Sequence, residues 1–234
     1  MRWVLLPGFD GTGVLYEPLL RALPPEIEPV VVRYPPDQIC SASSLVDIVL
    51  SSVPEREPYV LIAESFSGPI ALRASSLRAP TALVLCASFV KCPLPPVAIA
   101  PLKVLGRILS RWRPPKWCVR RYLLGEAPDD VVALFYSALA AVSRRVLAHR
   151  FAVLLELNEE RTLAKLNCPL LYLQATRDRL VGTRNALLLQ AHYPAARIER
   201  IEAPHLVLQA QPQAALRAIL RFLSQSFGAR SGWN

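Results

Sequence analysis

The 234-residue sequence predicts an α/β fold: a mostly parallel six-stranded sheet with helices on both faces and one helical insertion. Three observations predict it. Short, β-rich apolar runs alternate with helical patterns from residue 3 to residue 87, an order that implies parallel strands joined by crossover helices. The same alternation resumes at Leu170. Between the two blocks, residues 92–165 carry helical patterns only.

Taken in order, the expected strands are Trp3 to Leu6, Pro29 to Arg33, Tyr59 to Ala63, Thr81 to Ala87, Leu170 to Gln174 and Arg197 to Ile201. Tyr16 to Leu23, Ser44 to Val53 and Phe66 to Leu77 space their apolar residues as helices do, and Pro24-Pro25, Pro54 and Pro80 end them. Further helices are expected near Arg184 to Ala191 and over Gln213 to Ser226. In the insertion the patterns are Val97 to Trp112, Trp117 to Leu124, and Asp129 to about Leu157 with a break near Ser143. Pro93, Pro95 and Pro96 mark its entrance and Asn167-Cys168-Pro169 its exit. The expected division is a core of residues 1–91 and 166–234 and a helical cap of residues 92–165.

With 53% apolar residues the chain has ample material for one core. No uninterrupted apolar run approaches the ~18 to 20 residues of a membrane span, and the start reaches Pro7 and Gly8 too soon for a secretory leader. A cytoplasmic location is the expectation. The five cysteines (Cys40, Cys86, Cys92, Cys118 and Cys168) lack Cys-x-x-Cys spacing and read as reduced thiols. His149, His192 and His205 are too scattered to form a ligand cluster with them, so neither a metal nor another cofactor is expected. Of the net charge of +9, residues 92–165 supply a surplus of six. No nucleic-acid motif accompanies that bias, and a nucleic-acid partner is not expected.

Tyr59-Val-Leu-Ile-Ala63-Glu64-Ser65-Phe66-Ser67-Gly68 runs a buried strand straight into a helix, with a serine at the junction and small residues two places either side. Such a turn strains the serine backbone and lifts its hydroxyl above a helix N-terminus, where developing negative charge is favoured. A serine there also caps helices without chemistry, so the rest of the chain must decide. After the first strand comes Pro7-Gly8-Phe9-Asp10-Gly11-Thr12-Gly13, a glycine-rich loop at the same sheet edge. The backbone N–H groups of Phe9 and Phe66 are the candidate oxyanion donors. A phosphate loop is the competing reading, but neither Gly-Lys-Ser/Thr nor Gly-x-Gly-x-x-Gly is present.

A serine hydroxyl needs a base, and the base an orienting acid. His205 directly follows the last strand, whereas His149 and His192 lie within helices. Asp178 follows the fifth strand between Arg177 and Arg179, so a surface ion pair is its alternative use. The order Ser65, Asp178, His205 on three strand ends is more specific than any one of them. Gly8, Asp10 and Leu206 are the expected substrate contacts.

On Pro7-Gly8-Phe9-Asp10-Gly11, Ala63-Glu64-Ser65-Phe66-Ser67-Gly68, Asp178 and Pro204-His205, the chain resembles the α/β-hydrolase superfamily, and within it the small bacterial serine esterases and lipase-like hydrolases. The resemblance implies a sheet lacking the first two of the usual eight strands, a cap at residues 92–165, and hydrolysis of carboxylic esters through an acyl-enzyme on Ser65. The chain departs from the pattern at Pro7, where many members have His, and at Ala63 and Ser67.

Lys103, Arg107 and Arg111 recur every four residues on a helix whose other face is apolar. From Lys103 to Arg121 there are seven basic residues and no acidic one, with Trp112 and Trp117 between them. A solvated face over a packed cap, a surface for anionic lipid, and a dock for an acidic carrier protein all fit. The expected substrate is a small ester with a short to medium acyl chain. A carrier-protein methyl esterase, a thioesterase, a lipase and a catalytically silent binding module are the alternatives. Oligomeric state leaves no mark in the sequence.

Overall fold

The computed structural model describes residues 1–94 and 114–228. Six strands, β1 (Arg2–Leu6), β2 (Glu28–Val31), β3 (Tyr59–Glu64), β4 (Ala82–Cys86), β5 (Leu170–Ala175) and β6 (Arg197–Ile201), form one sheet in the order β2-β1-β3-β4-β5-β6. All five pairings are parallel, so the expected "mostly parallel" sheet is parallel throughout. β1 lies inside the sheet, with Leu5 in register with Val31 on one side and Ile62 on the other.

The central strands β1, β3, β4 and β5 are apolar apart from Arg2, Glu64 and Gln174 because both of their faces are covered. Val4, Leu6, Leu61, Ala63, Leu83 and Leu85 point to one core, and Trp3, Leu5, Val60, Ile62 and Val84 to the other. Helices α2 (Ala42–Ser52), α3 (Ser67–Leu77) and α8 (Thr183–His192) contribute to the first core. Helices α1 (Glu17–Ala22), α9 (Val207–Ala210) and α10 (Pro212–Phe227) contribute to the second.

Between β4 and β5, the helices of the described residues are α4 (Lys116–Val119), running into a π-helical turn at Arg120–Leu124, then α5 (Asp129–Ala140), α6 (Arg144–Glu156) and α7 (Glu160–Leu163). The pattern expected over 129–157 is thus two helices, bent by 97°. Ser143 makes the break: its hydroxyl accepts from Val146 N and caps α6, while its own N–H donates to Pro36 O. Val119, Leu124, Val131, Val132 and Phe135 form a third apolar cluster with Leu15 and Leu206, which seats this segment over the loops after β1 and β6. The expected helix Val97 to Trp112, with Lys103, Arg107 and Arg111, lies outside the described residues. Among those described, no single helix is long and apolar enough to cross a membrane.

Candidate active site

The C-terminal ends of β1, β3, β5 and β6 meet at one rim, and the candidate residues stand there. β3 ends at Glu64, and Ser65 takes a left-handed backbone conformation, φ 49°, before α3 begins at Ser67. A non-glycine residue in that region is strained and persists only where its surroundings hold it. Here Ser65 N donates to Cys86 O (3.0 Å), and Ser88 Oγ donates to Ser65 O (2.6 Å). The close approach explains Gly68: a Cβ there would overlap the Ser88 hydroxyl. Local crowding therefore falls on Gly68, beyond the expected small positions Ala63 and Ser67.

Ser65 Oγ lies 2.8 Å from His205 Nε2, and His205 Nδ1 lies 2.7 Å from Asp178 Oδ2. The carboxylate takes the Nδ1–H, which leaves Nε2 to accept the serine proton. Asp178 Oδ1 in turn accepts Leu180 N (2.7 Å) and Val181 N (2.9 Å), so the acid is held by its own turn. The imidazole is 3% exposed and the Asp178 side chain 2%, which keeps water out of the line. The Ser65 side chain is not a helix cap, since α3 has no side-chain cap at all. Arg177 and Arg179 stand outside this arrangement, which turns the Asp178 carboxylate to His205.

The loop after β1 supplies the opposite wall. The rings of Phe9 and Phe66 meet edge to face with centroids 6.0 Å apart. Among the described residues the backbone N–H groups of Phe9 and Phe66 have no hydrogen-bond partner. Each carbonyl from Pro7 to Asp10, by contrast, is engaged. Ser67 Oγ donates to Pro7 O, Gly11 N to Gly8 O (3.1 Å), and Arg150 Nη1 to both Phe9 O (3.2 Å) and Asp10 O. Ser67 also shares a 2.7 Å hydrogen bond with the Tyr34 hydroxyl, so this serine links α3 to the loop.

The expected substrate contacts Asp10 and Leu206 are buried. Asp10 is buried, and its carboxylate accepts Thr12 N (2.8 Å) and the Thr12 hydroxyl, an Asx turn that shapes the loop. Leu206 is buried in the third cluster, and its N–H donates to Leu123 O. A Cβ on Gly8 would sit 3.6 Å from Glu64 Oε2, so that glycine faces a buried carboxyl.

Glu64 itself had no assigned role. It is fully buried and accepts from Gln209 Nε2 at 3.1 Å, and the same amide donates to Leu15 O. Glu64 Oε1 and Gln209 Oε1 are buried without a partner among the described residues. Burial pushes the Glu64 carboxyl up to about 8, against the opposing pull of the Gln209 bond. An acidic residue closing an otherwise apolar strand was the signal available for it. Arg150, on a helix with two other arginines, has none.

A serine in the left-handed region bonded to an imidazole that is bonded to a carboxylate, on the rim of a parallel sheet, is an arrangement capable of nucleophilic chemistry. The chain belongs to the alpha/beta hydrolase family, whose model matches residues 3–219. Solved structures agree on the fold. A thermophilic esterase from Thermogutta terrifontis superposes with a TM-score of 0.81 at 17% identity, over 96% of this chain and 90% of that one. The enol-lactonase from Burkholderia xenovorans gives 0.76 at 14% identity, over 95% and 91%. A hydrolase from Pseudomonas aeruginosa gives 0.68 at 24% identity, over 95% and 89%. No curated protein matches the sequence.

Proposed function

We propose that the protein is a serine hydrolase that cleaves small carboxylic esters through an acyl-enzyme on Ser65. The observation that carries this reading is the 2.8 Å contact between Ser65 Oγ and His205 Nε2, made by a serine held at φ 49°. In the proposed reaction Ser65 Oγ attacks the ester carbonyl as its proton passes to His205 Nε2, and Asp178 stabilises the imidazolium. The oxyanion is received by the N–H groups of Phe9 and Phe66. His205 then gives the proton to the departing alcohol, and water repeats the sequence on the acyl-enzyme. The partly exposed Phe9, packed on the buried Phe66, favours an apolar acyl group beside the nucleophile. The expected helical cap, residues 92–165, is proposed to close the acyl pocket.

The test is a panel of esters, thioesters and lactones of varied chain length, run on wild type and Ser65→Ala. Turnover of short acyl esters lost in Ser65→Ala, together with fluorophosphonate labelling of Ser65 alone, is the expected result. Full hydrolysis by Ser65→Ala overturns the assignment. Better turnover of lactones or thioesters would move the substrate class while leaving the mechanism in place.

A further inference from the structure

We propose that Arg150, on helix α6 of the segment between β4 and β5, is a positioning residue that aims the Phe9 N–H at the nucleophile's reaction centre. The inference rests on the serine-hydrolase reading and deepens it, by making the oxyanion site depend on a side chain outside the core sheet.

Arg150 is 3% exposed, and among the described residues it forms no ion pair. Its partners are carbonyl oxygens: Nη1 donates to Phe9 O and Asp10 O, and Nη2 to Pro35 O at 3.0 Å. The guanidinium also lies 5.7 Å from the centre of the Tyr34 ring. Burying a cation is costly, even with the Asp10 carboxylate near enough to favour its charge, and a side chain needed for packing alone would serve better as an apolar residue of equal volume. What the guanidinium supplies is direction. One nitrogen, Nη1, takes two successive carbonyls of the loop while Nη2 is fixed on Pro35 O, and the guanidinium fills the space where a Cβ on Gly11 would stand. The guanidinium therefore packs against the turn in which Gly11 N donates to Gly8 O.

Gly8 C=O and Phe9 N–H belong to one planar trans peptide, so they point in opposite directions. Holding Gly8 O toward Gly11 therefore turns the Phe9 N–H away from the turn, and fixing Phe9 O and Asp10 O stops the next two peptides from rotating. Ser67, bonded to Pro7 O, secures the near end from α3. An oxyanion donor acts only in the transition state and only if it is already aimed. Arg150 also brings a fixed positive charge to the loop that must receive negative charge.

The test compares wild type, Arg150→Met and Arg150→Lys on a short acyl ester, measuring kcat and KM separately, together with the affinity for a trifluoromethyl ketone whose serine adduct carries the oxyanion. Arg150→Met is expected to lower kcat on the order of 10- to 100-fold, with KM within about twofold, and to weaken the ketone by the same factor. Arg150→Lys should recover part of both, since its ammonium can still donate to these carbonyls. If Arg150→Met does not fold, Arg150→Lys decides: kcat and ketone affinity falling together support the role, and ketone affinity unchanged overturns it. Ser65-dependent turnover that Arg150→Met leaves within about threefold, or a raised KM at constant kcat, shows mere packing and overturns the inference alone. Turnover that survives Ser65→Ala overturns the serine-hydrolase reading and this inference with it.

Discussion

Replacing Glu64 with Gln isolates one buried proton. The side chain keeps its shape and its bond from Gln209 Nε2, but it can no longer ionise. In the folded protein burial raises this carboxyl from 4.5 to about 8. Below pH 4.5 it is protonated in both states and costs nothing. As pH rises toward 8 the unfolded chain releases a proton that the folded chain retains, so wild-type stability falls by about 1.4 kcal/mol per pH unit from this group. Above pH 8 the loss is complete. Glu64→Gln escapes it, and should be the more stable protein by about 3 kcal/mol at pH 7 and about 5 kcal/mol above pH 8, both order-of-magnitude figures. Near pH 4.5 the two should be equal. Urea unfolding of both proteins at intervals from pH 4.5 to pH 9, with equal m-values, reads the difference directly. The other titrating groups are common to both proteins and cancel. A gap independent of pH, or one that shrinks as pH rises, refutes the reasoning.

Other consequences are equally open to measurement. Asp178→Asn should lower kcat by about a thousandfold or more with little change in KM, because the imidazole loses the partner that keeps Nε2 free to accept; a loss under tenfold, measured by steady-state kinetics, contradicts it. Gly68→Ala should destabilise by about 1 to 3 kcal/mol through its clash with Ser88, and most of that should vanish in a Ser88→Gly background, a non-additivity that thermal unfolding of the four proteins reveals. Cys86 and Cys168 are buried, Cys168 being pushed up to about 12 by burial, so iodoacetamide on the native protein at pH 8 should reach only Cys40, Cys92 and Cys118, as read by peptide mass spectrometry.

Much of the fold was legible because its signals are local. Tyr59-Val-Leu-Ile-Ala is apolar at every position and is a strand covered on both faces, and Ser143 sits where a cap must break two helices. The grouping of Ser65, Asp178 and His205 was legible for the same reason, as each follows within a few residues on a strand that points it at one sheet edge. The helices α7 and α9 were not anticipated, because four residues carry no period. Nor were the supports of the site. Arg150 reaches Phe9 across 141 positions, Gln209 reaches Glu64 across 145 and Leu15 across 194.

The sequence by itself determined the six strands and the longer helices in their order, the strained turn at Ser65 and the three side chains on strand ends. All of these follow from periodicity and turn chemistry within about ten residues. The tertiary structure alone decided which groups hold the loop after β1, why Gly68 must lack a side chain, and why Glu64 retains its proton. Those outcomes depend on which distant segments the strand order β2-β1-β3-β4-β5-β6 brings together. A buried hydrogen bond or a desolvated carboxyl is a property of the packed neighbourhood, and no stretch of chain carries it alone.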